Sequence, residues 1–387
     1  MKIGIEAQRL FRAKKHGMDV VALESIKALS AQYPQTEFIV FVRPGPDSAC
    51  LTEGKNLKIV EIAALSYADW EQIQLPRAVK KHEVDLLHCT SNTAPVYCPV
   101  PLVVTVHDII YLEQTMSIMK TASIYQKFGY IYRRWNVPSI MSNARKIVTV
   151  STFEQEQIQR HLPNLQTDLE VVHNGVSSRF FDFVPPWKRS EIRKKYALPN
   201  SFIFFLANTD PKKNTPNVLK AYGEYVASVE RCVPLVVADI SQERLDSLIS
   251  ELNLQDIEDK IVRLDYVDSK HMPIIYQQAS LFLYPSLRES FGLPIIEAMA
   301  ASTPVITSSC ASMPEVAGDA ALLVDPTCTA SISQMIRLGL SDTRLRETLQ
   351  KRGRVRAKEF SWNQTAKNLD GVYREVLSSS NSWMRAA

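Results

Sequence analysis

Residues 279–307 read ASLFLYPSLRESFGLPIIEAMAASTPVIT, and this stretch decides the fold. It opens with an apolar, β-prone run, Leu281 to Tyr284, that stops at Pro285. A polar loop (286–290) follows, then Phe291, Gly292, Leu293 and Pro294. Proline suits the start of a helix, where its missing N–H would have no partner anyway. Residues 295–301 read as that helix and 303–307 as the next strand, giving strand–loop–helix–strand, a βαβ crossover.

Two carboxylates lie eight residues apart in this unit, Glu289 in the loop and Glu297 in the helix. Between them sits a helix N-terminus, whose free N–H groups and dipole favour a phosphate. Gly292 permits a close backbone approach there. One carboxylate on each side of an anion site suits a nucleotide sugar, with the pyrophosphate at the helix end and a hydroxyl-bearing group for each acid. The spacing alone fits equally well a solvated loop acid and an ordinary first-turn helix acid.

The segment ESFGLPIIE (289–297) resembles the E-x7-E motif of the retaining family-four glycosyltransferases, group 1, many of them mannosyltransferases. Ala298, Met299 and Ala300, then Thr303, Pro304, Val305 and Ile306, continue the likeness; Ser302 stands where the family usually has glycine. The resemblance implies the GT-B fold, an α/β architecture of two facing Rossmann-like, doubly wound domains with a cleft between them. It also implies Glu289 as a catalytic residue, with Ser290, Phe291, Gly292, Leu293 and Glu297 binding the donor.

The chain has 387 residues, enough for two domains with a sizeable core in each. Hydrophobic content of 45% and charged content of 22% are those of a globular protein. A net charge of +4 is too weak to argue for nucleic acid. The start, MKIGI, enters a strand directly without a leader pattern, and no run of eighteen apolar residues occurs. The six cysteines form no C-x-x-C pair. These features predict a cytoplasmic protein, with peripheral contact at the inner face of the plasma membrane as a further option.

Strands are expected at 3–7, 38–42, 57–62, 86–89, 103–107, 147–151 and 171–173, alternating with helices. No G-x-G-x-x-G follows the first strand, which argues against a dinucleotide oxidoreductase. The loop after that strand carries Arg12, Lys14, Lys15, His16 and Gly17. Ligands bind at strand carboxyl ends in such sheets, and by resemblance Gly17 contacts the donor diphosphate; a basic surface loop is the other reading. His107 ends the fifth strand, and the resemblance places it against the transferred sugar, with Asp108 orienting it or capping the loop. Thr152 and Gln155 have the spacing of a capping box.

Residues 119–143 interleave Tyr125, Phe128, Tyr130, Tyr132 and Trp135 with Lys120, Lys127, Arg133 and Arg134. That mixture suits an anionic membrane surface as well as a core-facing stripe with a basic edge. Asn174, Gly175 and Val176 close the first domain and resemble the family's turn at the same place, and residues 182–188, with Pro185, Pro186 and Trp187, read as a linker. The expected organisation is therefore an acceptor-binding domain at 1–181, a donor-binding domain at 189–360 and a C-terminal helix at 361–387 crossing back to the first domain.

In the second half, strands are expected at 202–207, 233–238, 261–267, 281–284, 305–307 and 321–324. Residues 207–214, ANTDPKKN, resemble the family's G-x-x-x-P-R-K-N segment, so Lys213 takes the place of the lysine that binds the diphosphate and Lys212 that of an arginine. A lysine there neutralises charge on the leaving group. The resemblance also puts the nucleotide base near Val267 and Asp268.

No D-x-D occurs, so neither a metal nor another cofactor is expected. The expected reaction moves a hexose, mannose by preference, from GDP-mannose or a UDP-hexose to a glycan or lipid-linked glycan in cell-surface polysaccharide or lipopolysaccharide assembly. A nucleotide-sugar epimerase of similar architecture and a non-catalytic binding subunit are the alternatives.

Overall fold

The computed structural model describes residues 1–113 and 124–384 and divides the chain into two compact units. The first comprises 1–175 together with the C-terminal segment from Trp362 onward; the second comprises 176–361.

The first unit is built on seven strands: β1 (Lys2–Glu6), β2 (Glu37–Val42), β3 (Leu57–Glu61), β4 (Leu86–Cys89), β5 (Leu102–Val106), β6 (Lys146–Thr149) and β7 (Leu169–Val171). They pair in parallel in the order β3-β2-β1-β4-β5-β6-β7. Strands such as LVVTV in β5 are buried along their whole length because helices cover both faces of a parallel sheet. The order reverses direction at β1 and β4, so the loops after those strands splay apart and leave room for ligands.

The helix Trp362–Met384 packs within this unit, beside the helix Gly17–Gln32. Two contacts fix it: the buried Tyr373 hydroxyl meets His88 Nδ1 at 2.7 Å, and Lys146 Nζ donates to the half-exposed Glu375 at 2.7 Å. Burial pushes the His88 imidazole down to about 3, so the ring is neutral and pairs with Tyr373 on one nitrogen and Thr105 on the other.

The second unit repeats the plan with β8 (Ile203–Leu206), β9 (Leu235–Ala238), β10 (Ile261–Arg263), β11 (Leu281–Tyr284), β12 (Val305–Ser308) and β13 (Ala321–Val324). All pairs are parallel, in the order β10-β9-β8-β11-β12-β13. Both halves are therefore doubly wound sheets, as expected from the alternating pattern.

Three local readings need correction. The segment 182–188 is no free linker: Pro186 starts the helix Pro186–Lys195, and the carbonyls of Phe181 and Asp182 accept hydrogen bonds from Arg354 and Gln277. The boundary falls between Gly175 and Val176, at the turn expected to close the first domain, and not at 181. The helix Thr152–His161 is capped one residue early, by the Ser151 hydroxyl, which accepts from the Glu154 N–H at 3.2 Å. β10 ends at Arg263, so Val267 and Asp268 stand in the following loop.

Of the aromatic–basic stretch 119–143, residues 119–123 and the side chains of Tyr125, Lys127, Phe128 and Tyr130 lie outside the described residues. Trp135 and Ile131 are exposed on the helix Ile124–Asn143, whereas Tyr132 turns inward to Glu71 and Gln72. No helix among the described residues is long and apolar enough to cross a membrane.

Ser302 adopts a left-handed conformation, φ +61°, where the helix Leu293–Ala300 turns into β12. The Thr303 N–H reaches back to the Ala298 carbonyl at 2.9 Å, the bond pattern that glycine usually serves. A side chain costs about 1 kcal/mol in this conformation. Ser302→Gly is accordingly expected to raise the denaturation midpoint by the equivalent of about 0.5–1 kcal/mol; a lower midpoint in chemical denaturation would show that the Ser302 side chain contributes more than the strain.

Candidate active site

Most of the predicted site residues fall in the second unit, where β8 and β11 are neighbours at the centre of the sheet and both send their carboxyl-end loops to one edge. β11 ends at Tyr284, and the chain runs through residues 285–291 to Gly292, which adopts φ +97°, ψ +52°. A Cβ there would lie 3.0 Å from Ile295 Cδ1, so this kink into the helix suits glycine. The Ser312 hydroxyl contacts the carbonyls of Glu289 and Phe291 at 2.9 and 3.1 Å, which fixes the loop from beneath.

The loop after β8 ends in a short turn, Pro211–Lys213, and in Asn214, another left-handed residue at φ +60°. Asparagine tolerates this conformation better than most side chains. Its buried amide donates to the carbonyls of Pro285 at 2.9 Å and Pro326 at 2.7 Å, and the Leu287 N–H donates to the Lys212 carbonyl at 2.7 Å. These bonds lace the two loops into one rigid body.

That lacing carries Lys213 against Glu289. The ammonium donates to Glu289 Oε1 at 2.7 Å and to the Tyr284 hydroxyl at 2.7 Å, and lies 4.8 Å from the centre of the Tyr284 ring. Glu289 is only 8% exposed. Burial and the adjoining Glu289 push the Tyr284 phenol well above its ordinary range, so it stays protonated. An ammonium has three N–H bonds; two are spent here, and the third is available to an anion.

Glu297 sits on the helix that follows. Burial pushes its carboxyl up to about 7, opposed by the Arg179 guanidinium and by a long contact, 3.5 Å, from the Tyr276 hydroxyl. Lys212 lies 3.8 Å from Asp210. Ser290 and Leu293 flank the Gly292 kink, while the Phe291 ring is buried edge-on against Phe360, so any ligand contact from Phe291 runs through its backbone. Val267 and Asp268 occupy the loop after β10, and Asp268 is paired with Lys270 at 3.0 Å.

Two predicted residues lie on the first unit. Gly17 is the first residue of the helix Gly17–Gln32, and a Cβ built on it meets nothing within 4 Å, so packing places no demand for glycine there. His107 follows β5 and is buried; its Nε2 lies 2.9 Å from the Thr90 carbonyl and its own N–H donates to Asn92 Oδ1 at 2.6 Å. Burial lowers its pKa, so the ring is neutral, donates from Nε2 and keeps Nδ1 as an acceptor. Thr90, and not Asp108, orients the imidazole: no hydrogen bond joins Asp108 to the ring among the described residues.

Tyr284, Tyr276, Arg179 and Asn214 were not singled out in the sequence. Tyr284 ends a strand in the motif itself and was legible by position; Arg179 lies 118 residues before Glu297 (297 − 179), the acid whose charge it opposes, and carried no signal.

Comparison with known proteins gives a consistent picture. Residues 188–356 match the family described as glycosyl transferases group 1, and residues 15–180 match glycosyltransferase family 4. The chain is 32% identical over 275 residues to O-antigen chain mannosyltransferase B of Escherichia coli, covering 70% of each chain. Its fold resembles that of sucrose-phosphate synthase from Thermosynechococcus elongatus (TM-score 0.75, 18% identity, 98% of this chain and 99% of that one). It also resembles HepE of Anabaena, solved with UDP-glucose (TM-score 0.72, 17% identity, 97% and 100% covered).

The raised carboxyl of Glu297 sets a direction for stability. Between its ordinary value of 4.5 and about 7 the folded chain keeps a proton that the unfolded chain has lost. Stability from this group is therefore full below the lower value and declines as pH rises through that window. Glu6, also buried and pushed up to about 7, contributes a slope of the same sign. Glu297→Gln is expected to flatten the fall of the denaturation midpoint across that window without abolishing it; an unchanged slope would place the Glu297 pKa near its ordinary value.

Proposed function

We propose that this chain, which belongs to the glycosyltransferases (family 4 in its first half, group 1 in its second), transfers mannose from GDP-mannose to a glycan acceptor with retention of configuration. The observation that carries the reading is the contact of Lys213 with both Glu289 and Tyr284 beside the helix that starts after Gly292. It sets a cation and a carboxylate beside a helix N-terminus, which suits a sugar joined to a diphosphate. Mannose as the sugar draws support from the likeness to the E. coli mannosyltransferase, and the same likeness supports a place in cell-surface polysaccharide or lipopolysaccharide assembly. A UDP-hexose is the competing donor.

In this reading the bond between the anomeric carbon and the diphosphate oxygen breaks first, leaving an oxocarbenium-like centre. Lys213, Lys212 and the helix N-terminus hold the charge that grows on the leaving diphosphate. The acceptor hydroxyl attacks from the face the diphosphate is leaving, and its proton passes to the departing phosphate oxygen. Glu289 accepts hydrogen bonds from sugar hydroxyls, and Glu297, once ionised, does the same for the ribose. Val267 and Asp268 border the base. His107, through its free Nδ1, and Gly17 serve the transferred sugar and the diphosphate from the first unit. The positive charge comes from side chains and backbone, so the proposed reaction requires no metal.

A first test is thermal stabilisation by a panel of nucleoside diphosphates and nucleotide sugars in the presence of a chelator. A ligand that binds only the folded state raises the melting temperature, by about 2.7 kcal/mol of stability at a hundred times its dissociation constant. GDP and GDP-mannose are expected to stand out; a shift confined to UDP compounds would reassign the donor, and no shift with any of them would overturn the reading.

The second test uses variants. Glu289→Gln is expected to lower kcat by about a hundredfold or more while GDP affinity stays near normal, and Lys213→Ala to weaken GDP binding. Because the two side chains touch, their effects on kcat/KM are expected to be non-additive in a double-mutant cycle. Strictly additive losses would separate Lys213 from the reacting sugar.

A further inference from the structure

A cavity of about 440 Å³ opens in the first unit, at the carboxyl ends of β1 and β2. Its walls come from residues 8–12 after β1, 43–46 after β2 and 65–67 after β3. The two main walls are joined backbone to backbone: the Arg43 N–H donates to the Gln8 carbonyl at 3.3 Å and the Asp47 N–H to the Phe11 carbonyl at 3.1 Å. Gly45 makes this approach possible, since a Cβ there would lie 2.3 Å from the Phe11 carbonyl oxygen. The cavity is thus a built feature of the fold, within the size range of small-ligand sites.

Its chemistry is one-sided. Arg9 is committed to Asp19, at 2.9 Å, and Lys15 to Asp47. Arg12 and Arg43 also line the cavity, are exposed, and form no ion pair among the described residues; Arg43 reaches only the Ala64 carbonyl, at 3.5 Å. Gln8, 5% exposed, lines the same space, and its buried Nε2 has no hydrogen-bond partner among the described residues. The acid that ends β1 does not answer these donors, because Glu6 spends its oxygens on the backbone N–H groups of Gln8 and Thr90. Two unpaired guanidiniums and a buried amide donor match a phosphate, which a guanidinium fork binds through two parallel bonds. Beside them Tyr67 and Leu65, the latter 97% exposed, supply an apolar edge against which a sugar ring can lie.

We infer that this cavity binds a phosphate ester attached to a sugar, the phosphorylated end of the acceptor. The binding stands on the cavity alone; calling the ligand an acceptor rests on the proposed transferase reading. Either a free sugar phosphate or a sugar phosphate borne on a lipid carrier presents this chemistry.

The test titrates the full chain calorimetrically with mannose 6-phosphate, mannose and inorganic phosphate, in wild type and in an Arg12→Gln/Arg43→Gln variant, and is expected to give about tenfold or more weaker sugar-phosphate binding in the variant. Mannose affinity and the melting temperature of the free protein should be the same in both, since the two arginines are exposed. Absence of saturable binding by mannose 6-phosphate, or equal affinity in the two proteins, overturns the proposal. So does inorganic phosphate binding as tightly as the ester, which would make the cavity a bare anion site. Thermal stabilisation by GDP is read in parallel: its loss in the variant alone would assign the cavity to the donor and overturn the inference. Its absence from the wild type would strike only the donor reading, leaving the arginine dependence of sugar-phosphate binding to decide this one. Vesicles carrying a polyprenyl-phosphate mannose separate the sources: capture of these vesicles by wild type but not by the variant supports a lipid carrier, and soluble ester binding without capture supports a free sugar phosphate.

Discussion

The ion pair of Lys213 with Glu289 joins residues 76 apart in sequence, and the chemistry proposed for this protein depends on it. Neither group is held by its own loop alone. Asn214 ties the lysine's turn to the carbonyls of Pro285 and Pro326, and Ser312 holds the backbone of Glu289. A partly buried pair carries a desolvation cost that its attraction offsets only when the geometry is good and the remaining valences are satisfied. The Tyr284 hydroxyl meets part of that need, and it leaves one ammonium N–H unspent. The arrangement is thus balanced in the free protein yet ready for an anion, since a diphosphate can take up lysine valence without leaving the glutamate far from a positive charge.

The parallel sheet explains why these groups meet. Every strand of the second unit runs the same way, so every carboxyl-end loop emerges at one edge, and the central strands β8 and β11 bring two loops side by side. The crossover after β11 then turns a helix N-terminus toward the same edge, with Gly292 making the sharp entry. In the first unit the same logic gathers the loops after β1 and β2 around an arginine-lined cavity. One architectural rule, applied twice, yields two anion-friendly places on two separate units.

Burial of acids recurs in both halves. Glu6 and Glu297 are each pushed up to about 7 by desolvation, Glu6 at the end of β1 and Glu297 within the helix Leu293–Ala300. Such placement costs stability near neutral pH, which is more readily understood for groups with a binding task than for packing alone. Glu6 spends its oxygens on the backbone of the first unit, so its task is internal; Glu297 has, among the described residues, only the long contact from Tyr276 and the charge of Arg179.

Alternating apolar runs and helical stretches determined by themselves that the chain forms two doubly wound sheets, because a strand covered on both faces has to be apolar throughout and leaves a plain signature. The motif from Glu289 to Glu297 likewise announced a loop, a helix start and two acids, since its glycine and proline act locally. Contacts across the sheet had no such signature. That Lys213 grips Glu289, that Arg179 stands near Glu297, and that Thr90 rather than Asp108 orients His107 follow from strand order, which brings together residues far apart in the chain. The fate of residues 182–188 was equally hidden: a proline-rich stretch reads as a linker from composition, but Pro186 opens a helix and Gln277 binds the Asp182 carbonyl, which draws the stretch into the second unit. Local backbone preference is written in neighbouring residues, whereas the partner of a buried charge is chosen by the tertiary fold.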